Sequence, residues 1–335
     1  MLIDLHAHVI PGELEPVGSG DQPGPHTEHS PDDETIRLLV NGRGMRFAAS
    51  RYFFSSEARL EALAANGLDA EVVSPMPPLL DYTLTAGEGR ELSRRVNEFV
   101  VQICQAAPDR LLGMGMVPMQ DLELATKELA EVKALGLKGV EITSNAAGIS
   151  IGDERCYGFF EEAERLDLPV FVHATAPTFM DRLPRASGPS FAVLLEQAVG
   201  ATSVVMGGLP ERCPNLRLCF SHGGGGIAFM LARAHYFWGG TWDEAPPSRE
   251  VEGPSPAEVA RRYYYDAHPI DHRVFRLLID TLGDSQLVVG TDFPAMPREE
   301  PCGKTLYGMG LAADVLEGIT WRNAFRFLGV EPPRT

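Results

Sequence analysis

Short apolar segments recur along the whole chain and alternate with longer segments of a different period. Each short segment is rich in β-branched, leucine or aromatic residues and ends near turn-forming residues, which is the pattern of a buried strand. We expect eight such strands, at residues 2–6, 70–74, 111–116, 139–143, 170–173, 216–221, 263–266 and 286–290.

The longer segments place apolar residues three or four positions apart, as one face of an α-helix does. They cover residues 57–65, 89–107, 122–135, 157–166, 191–199, 226–236, 271–282 and 309–328. Regular alternation of strand and helix predicts a parallel sheet, and eight repeats predict an α/β fold of the (β/α)8 TIM-barrel type. An open, doubly wound sheet is the alternative.

Two connections are longer and less regular than the others. Residues 11–56 are polar, rich in Gly, Pro and Asp, and lack strong periodicity, and residues 174–190 are also irregular. They follow the first and fifth predicted strands, so in a barrel they cover the C-terminal face, where substrates bind. No change in composition suggests a linker, and we expect residues 1–335 to form one domain with 11–56 as a cover insertion.

Composition and charge narrow the class of partner. The 335 residues include 29 basic and 46 acidic side chains, for a formal net charge of −17. An acidic surface of this kind does not suit nucleic acid or anionic lipid, and no apolar run reaches the roughly 20 residues of a membrane span. The five cysteines form no C-x-x-C pair, and the N-terminus reads as a strand. We therefore expect a cytoplasmic protein that acts on a small molecule, without nucleic-acid or membrane partners.

Polar residues stand at the ends of several predicted strands. His6 and His8 close the first strand and share one face, because residues two apart in a strand point the same way. His173, His222 and Asp292 end the fifth, sixth and eighth strands. Singly, each is more often a capping group than a ligand. In a closed barrel, however, all strand ends meet at one mouth and can share one metal site.

Imidazole and carboxylate side chains together suit a divalent first-row metal ion. Four of these residues, His6, His8, His173 and Asp292, are candidate ligands for one ion. We expect Zn2+, with Mn2+ or Fe2+ as alternatives. His222 is then the natural general acid and base beside the metal-bound water.

The order of these motifs resembles the amidohydrolase superfamily. The segments that carry the resemblance are His6-Ala7-His8, His173, Ser221 to Gly225, and Gly290 to Pro294. Within the superfamily they are similar to the amidohydrolase-2 branch, which includes 2-amino-3-carboxymuconate 6-semialdehyde decarboxylase. The similarity extends over nearly the whole chain.

The resemblance implies a distorted barrel, the same four metal ligands, His222 as the acid/base residue, and a homodimer. It also places Arg46 or Arg51 where that decarboxylase has an arginine that binds a substrate carboxylate. A one-residue gap leaves the choice between them open. A solvent-exposed arginine on the cover is the alternative for each.

One departure affects the substrate. The similar decarboxylase takes a second arginine from a neighbouring subunit, and the corresponding residues 237–243 contain none. We therefore expect a different small anionic substrate, an aromatic or unsaturated carboxylic acid. The predicted reaction is a metal-dependent, non-oxidative decarboxylation with His222 and Asp292 as catalytic residues. A metal-dependent hydrolase of an amide, ester or C–C bond is the alternative, because the same residues serve both reactions.

Two further residues are candidates for the mouth. Glu141, near the end of the fourth strand, is expected either to hydrogen-bond a ligand histidine or to pair with a buried basic residue. His268, after the seventh strand, is a candidate for a side chain that points into the mouth, and a position outside the mouth is the alternative.

Overall fold

Eight parallel strands form the centre of the molecule and pair in the order of the sequence. The computed structural model describes residues 1–18, 23–29, 35–47, 51–174, 177–184, 187–242, 245–267 and 271–332. The strands are β1 (Ile3–Val9), β2 (Ala70–Pro75), β3 (Leu111–Met116), β4 (Gly139–Thr143), β5 (Val170–His173), β6 (Leu218–Phe220), β7 (Tyr264–Ala267) and β8 (Leu287–Val289). All eight predicted strands are confirmed, and the bounds of β3, β4 and β5 agree with the prediction.

The sheet closes on itself between its first and last strands. Ala7 forms a parallel bridge with Phe293, just beyond β8. The amide of His8 donates to the Phe293 carbonyl at 2.7 Å, and the amide of Asp292 donates to the His6 carbonyl at 2.8 Å. The predicted (β/α)8 barrel is therefore confirmed, and the open-sheet alternative is wrong.

Helices surround the barrel. They are α1 (Arg51–Phe54), α2 (Ser56–Asn66), α3 (Ala86–Gln105), α4 (Leu122–Ala134), α5 (Tyr157–Arg165), α6 (Val193–Val205), α7 (Leu209–Arg212), α8 (Ile227–Gly239), α9 (Pro256–Ala260), α10 (His272–Leu282), α11 (Lys304–Tyr307), α12 (Ala313–Glu317) and α13 (Asn323–Leu328). The helix predicted at 309–328 is divided, because a π-helical turn at Gly318–Arg322 separates α12 from α13. None of the described helices is both long enough and apolar enough to cross a bilayer.

A bulge in β1 turns two histidines toward the barrel mouth. Asp4 pairs with Glu71 but Ala7 pairs with Val73, so β1 has one residue more than β2 between the two pairs. Leu5 belongs to the apolar cluster inside the barrel. The next residue, His6, also faces inward, with its ring centroid 5.0 Å from that of Phe171. The predicted strand ended at His6, whereas the observed strand continues to Val9.

Apolar side chains fill the barrel below the histidines. This inner cluster combines residues from seven of the strands with side chains of α13, including Ile3, Leu5, Val72, Met114, Phe171, Cys219, Val288, Phe325 and Phe327. A second apolar layer lies between the strands and the surrounding helices. The lower part of the barrel is therefore packed with apolar groups, and the polar side chains of the inner face gather at the C-terminal mouth.

The cover insertion contains regular structure that was not predicted. Strands His26–His29, Ile36–Val40 and Arg43–Arg46 form an antiparallel sheet. Asn41 and Gly42 connect the last two strands with φ angles of 51° and 71°, as a type I′ turn requires. The Asn-Gly pair by itself indicates a hairpin turn. The hairpin was not predicted, because the polar composition of the segment indicated a loop.

The described part of the insertion packs against residues that follow the C-terminal ends of β1 and β2. Ile36, Leu38 and Phe53 share an apolar cluster with Ile10, the residue after β1, and with Leu79, in the turn that follows β2. Within the insertion, residues 19–22, 30–34 and 48–50 lie outside the described residues.

Candidate metal centre

Four side chains from distant parts of the sequence converge at the barrel mouth. His6 and His8 lie on β1, His173 ends β5, and Asp292 follows β8. One ligating atom from each lies within 4.8 Å of the others. The three histidines are buried and Asp292 is half-buried. The structure thus brings together all four residues that the sequence predicted as metal ligands.

The hydrogen bonds of the three histidines determine which ring nitrogen carries the proton. His8 Nδ1 lies 3.1 Å from the Pro75 carbonyl, and His173 Nδ1 lies 2.9 Å from the Ala174 carbonyl. A carbonyl oxygen only accepts, so each Nδ1 must be protonated. His6 Nδ1 lies 2.5 Å from Asp266 Oδ2 and donates in the same way. Each imidazole therefore presents the lone pair of its Nε2.

These lone pairs face one another and the carboxylate of Asp292. His6 Nε2 lies 2.9 Å from His8 Nε2, and His8 Nε2 lies 3.1 Å from Asp292 Oδ1. His173 Nε2 is buried and has no hydrogen-bond partner among the described residues. Ligands about 2.1 Å from a metal ion lie about 3–4 Å from each other, so this spacing fits one cation. A single divalent metal ion satisfies all four groups.

Burial and charge prepare the cluster for a cation. Burial lowers the pKa of His6 and of His173 well below the ordinary range, which keeps both rings neutral. Burial alone would raise the pKa of Asp292, but the neighbouring His8 and His6 outweigh it and hold that pKa well below its usual range. The pKa of His8 is raised, because Asp292 and Glu141 outweigh the effect of its burial.

Asp266, at the mouth end of β7, connects two parts of the site. Its Oδ2 accepts the proton of His6 Nδ1, and its Oδ1 accepts the backbone amide of His222 at 2.5 Å. A carboxylate behind a ligand histidine fixes the ring orientation and makes the ligand more basic. Asp266 was not predicted as a site residue, whereas His268, two residues later, was a candidate and lies outside the described residues. The readable signal was an aspartate near the end of a barrel strand.

His222 lies beside the four candidate ligands. Its ring centroid is 5.0 Å from that of His173 and 5.3 Å from that of His6. His222 has a φ of 53°, and the glycines at 223–226 also have positive φ. A Cβ on Gly225 would collide with the carbonyl of Leu194 on α6. The glycine run therefore lets the chain turn closely past α6 and present His222 to the mouth.

Glu141 projects into the barrel from β4, opposite Phe171. Its Oε2 lies 4.0 Å from His8 Nδ1, which is too far for a hydrogen bond, and neither oxygen has a hydrogen-bond partner in the described structure. Burial raises the pKa of this carboxyl to about 7. Among the described residues, neither the predicted hydrogen bond to a ligand histidine nor the predicted pairing with a basic residue is present.

Arg46 and Arg51 occupy a different place from the four candidate ligands. Both are exposed, and both line a cavity of about 720 Å³ with Tyr52, Phe293 and Arg298. Arg51 forms an ion pair with Glu61 at 3.2 Å. No candidate ligand lines this cavity. The described structure therefore does not bring either arginine against the metal cluster.

A closed parallel barrel with a buried His3Asp cluster at its mouth defines a metal-dependent enzyme of the TIM-barrel type. The chain belongs to the amidohydrolase family, because the family model for amidohydrolase matches residues 3–330. The predicted resemblance is confirmed.

Similar proteins with known activities are decarboxylases. The 2-amino-3-carboxymuconate-6-semialdehyde decarboxylase of Dictyostelium discoideum is 27% identical, over 98% of this chain and 92% of that protein. The 5-carboxyvanillate decarboxylase of Sphingomonas paucimobilis has 26% identity and a TM-score of 0.72, over 82% of this chain and 83% of its own. A dihydroxybenzoic acid decarboxylase from Polaromonas, with bound manganese, has 22% identity and a TM-score of 0.71, over 83% and 87% of the two chains. The predicted class of enzyme, a carboxy-lyase of this family, is confirmed.

Removal of a ligand side chain tests the cluster directly. We expect His8→Ala and Asp292→Ala each to abolish stable metal binding, measured as metal per chain by elemental analysis after gel filtration. Asp266→Asn should weaken binding by about 10–100-fold, because it loosens the orientation of His6 without removing a ligand. The exposed His272 on α10 provides the matched control, and His272→Ala should retain the wild-type content. Full metal content in both ligand variants would refute the site.

Proposed function

We propose that the protein is a metal-dependent, non-oxidative decarboxylase that removes CO2 from an aromatic or unsaturated carboxylic acid. In this proposal His6, His8, His173 and Asp292 hold one divalent ion and His222 moves protons. The observation that carries it is the arrangement of three imidazole lone pairs and one carboxylate around a single point, with the His222 ring 5.0 Å from that of His173.

Decarboxylation requires a place for charge and a source of one proton. The C–COO⁻ bond breaks, CO2 leaves, and the electron pair that remains on carbon takes up a proton. A divalent ion, when bound, supplies Lewis-acid stabilisation of the substrate oxygens. His222 supplies the proton. It is not a candidate ligand, and its side chain is half-buried, whereas Glu141 and Asp266 are buried. Asp292 supplies the carboxylate of the candidate ligand set, with its Oδ1 3.1 Å from His8 Nε2 and 3.7 Å from His6 Nε2.

The bond between Asp266 and His222 positions the proton donor. Asp266 accepts the backbone amide of His222 and the ring proton of His6, so the chain carrying the donor and one candidate ligand are attached to one carboxylate. Because Asp266 lies on β7 and is buried, it keeps His222 at a constant distance from His6. A preorganised donor costs no rearrangement when the reaction occurs.

The bound ion is proposed to be Zn2+, with Mn2+ or Fe2+ as alternatives. Three imidazole nitrogens and one carboxylate match the four-coordinate preference of Zn2+. The manganese in the Polaromonas enzyme favours Mn2+ as the first alternative. Elemental analysis of the protein as purified distinguishes the three ions.

Carbon dioxide release identifies the reaction. Carboxylated aromatic and unsaturated acids, together with ester and amide substrates, should be incubated with the metal-loaded protein while CO2 and organic products are both quantified. We expect one CO2 per product molecule, with turnover lowered about 10²- to 10⁴-fold in His222→Asn at unchanged metal content. Organic product without CO2 would establish a hydrolase instead. Full activity of His222→Asn would remove that residue from the mechanism.

One of the cover arginines is proposed to bind the substrate carboxylate. Arg46 and Arg51 flank residues 48–50, and Arg51 must leave its exposed ion pair with Glu61 to reach a substrate. Exposed ion pairs add little stability, so Arg51 can exchange Glu61 for a substrate carboxylate with only a small loss of free energy.

Kinetics of single variants select between the two arginines. We expect either Arg46→Gln or Arg51→Gln to raise KM by about 10–100-fold, as loss of a charged hydrogen bond does. The other variant should match the wild type and acts as the control. If neither variant changes KM, both arginines are surface residues and the carboxylate is bound elsewhere.

We further propose a homodimer formed through α6 and α8. These two helices and the π-helical turn before α6 expose large apolar side chains, among them Phe191, Leu195, Val199, Phe229, Met230 and Phe237. Leu195, Val199 and Met230 line one apolar groove between the helices. Monomeric proteins rarely expose a contiguous apolar surface of this kind.

A charge on this surface should separate the subunits. Phe229 is 81% exposed, so Phe229→Glu should leave the fold intact and produce a monomer in analytical ultracentrifugation. Leu277 on α10 is 44% exposed and provides the control, since Leu277→Glu should sediment as the wild type does. A wild-type protein that sediments as a monomer, or a Phe229→Glu variant that stays dimeric, would contradict this interface.

Residues 1–335 are proposed to act as one cytoplasmic unit. All five cysteines are free, which suits a reducing compartment.

A further inference from the structure

Four charged side chains are buried behind the metal cluster, on the seam where the barrel closes. Asp4 lies on β1, Glu71 on β2, Arg59 on α2, and Arg298 in the segment after β8. The exposed fraction of each side chain is 2% or less. Two carboxylates and two guanidinium groups balance in charge. We call this group the seam network.

Direct hydrogen bonds connect the four side chains in one series. Arg298 donates from Nε and Nη2 to Asp4 Oδ2 at 3.1 and 2.7 Å, and from Nη2 to Glu71 Oε2 at 2.6 Å. Arg59 Nε donates to Glu71 Oε1 at 2.6 Å. Burial raises the pKa of Glu71, but Arg59 and Arg298 outweigh this effect and hold the pKa below its usual range. Glu71 therefore stays ionised between the two arginines.

Both ends of the network form hydrogen bonds with the backbone of segments that carry candidate ligands. Asp4 Oδ1 accepts the amide of His6 at 3.1 Å and the amide of Thr291 at 3.0 Å. Arg59 Nη1 donates to the carbonyl of His8 at 2.9 Å. The network therefore bonds the backbone of two candidate ligands, His6 and His8, and of Thr291, the residue before a third, Asp292.

The segment around Asp292 needs such support. Asp292 has a φ of 59°, in the left-handed region that a non-glycine residue occupies at a cost. Buried ion pairs seldom increase stability compared with apolar side chains of the same size, but they do specify one arrangement. Arg298 also covers the Phe293 ring, with its guanidinium carbon 3.9 Å from the ring centroid. Arg298 thus contacts both neighbours of Asp292, because its Nε donates to Thr291 Oγ1 at 3.2 Å and its guanidinium group covers Phe293.

We propose that Arg298 is a positioning residue for the metal centre. By neutralising and orienting Asp4, it holds His6 on β1 and Thr291-Asp292 after β8 at the separation that one metal ion requires. Arg298 is not itself a candidate ligand, because its guanidinium group donates to Asp4, Glu71 and Thr291. This inference rests on the ligand set of the proposed function. Arg298 itself lies outside the motifs that supply the four candidate ligands.

Metal retention in variants of Arg298 tests the proposal. Arg298→Met keeps the length of the side chain and removes its charge and donors. We expect it to release the metal to a competing chelator with an apparent Kd raised about 10–100-fold, the effect of losing an outer partner of a metal site. The visible spectrum of the Co2+-substituted protein should change in Arg298→Met, because the ligand geometry changes. Arg298→Lys should recover part of the affinity.

Arg217 offers a matched control at the opposite end of the barrel. Arg217 directly precedes β6. It donates to the Asp167 carboxylate and, at 3.0 Å, to the Asp167 carbonyl. Arg217→Met should lower thermal stability but leave both the metal Kd and the Co2+ spectrum at wild-type values. This comparison separates a local effect on the metal centre from general destabilisation.

The possible outcomes distinguish this inference from the proposed function. A folded Arg298→Met protein with the wild-type Kd and Co2+ spectrum would overturn the positioning role alone. A wild-type protein that binds no metal would overturn both proposals. If Arg298→Met does not fold, Thr291→Val removes the hydroxyl that bonds Asp4 Oδ2 and Arg298 Nε. A smaller rise in Kd is then expected, and an unchanged Kd would refute the proposal.

Discussion

The mouth of the barrel depends on one electrostatic constraint. His6, His8 and His173 donate their Nδ1 protons to fixed oxygen atoms, so their Nε2 lone pairs point at each other and at Asp292. Four electron-rich groups in a buried space repel one another unless a cation lies between them. A bound divalent ion removes that repulsion, and much of the surrounding polar structure keeps the four groups in place for it.

The backbone reaches this arrangement through local departures from ideal geometry. A bulge in β1 turns His6 and His8 to the mouth, and left-handed conformations present His222 and Asp292. Such features persist only where neighbouring contacts determine them. The contacts come from Asp266 on one side of the cluster and from the seam network on the other. Chemistry and support are therefore carried by different residues.

The amino-acid sequence predicted most of the fold and the members of the metal cluster. The strands are short apolar segments, and three of them have the predicted bounds, because burial on both faces leaves a continuous apolar run. His6, His8, His173 and Asp292 were recognised because a parallel barrel brings strand ends together whatever their separation in sequence. The antiparallel sheet in 11–56 was missed, although Asn41-Gly42 marked its turn, because its short strands lie in a segment rich in polar residues.

The sequence by itself determined that the chemistry is metal-dependent. The repeating period of strands and helices locates the strand ends, and the histidines and aspartate found there are metal-binding residue types. The tertiary structure decided the tautomers of the histidines, the role of Asp266, and the link from Arg298 through Asp4 to His6. These are contacts between residues as far apart as 294 positions, and their partners are set by a closed barrel. A hydrogen bond over that distance leaves no periodic trace in a single sequence, so only the folded chain reveals it.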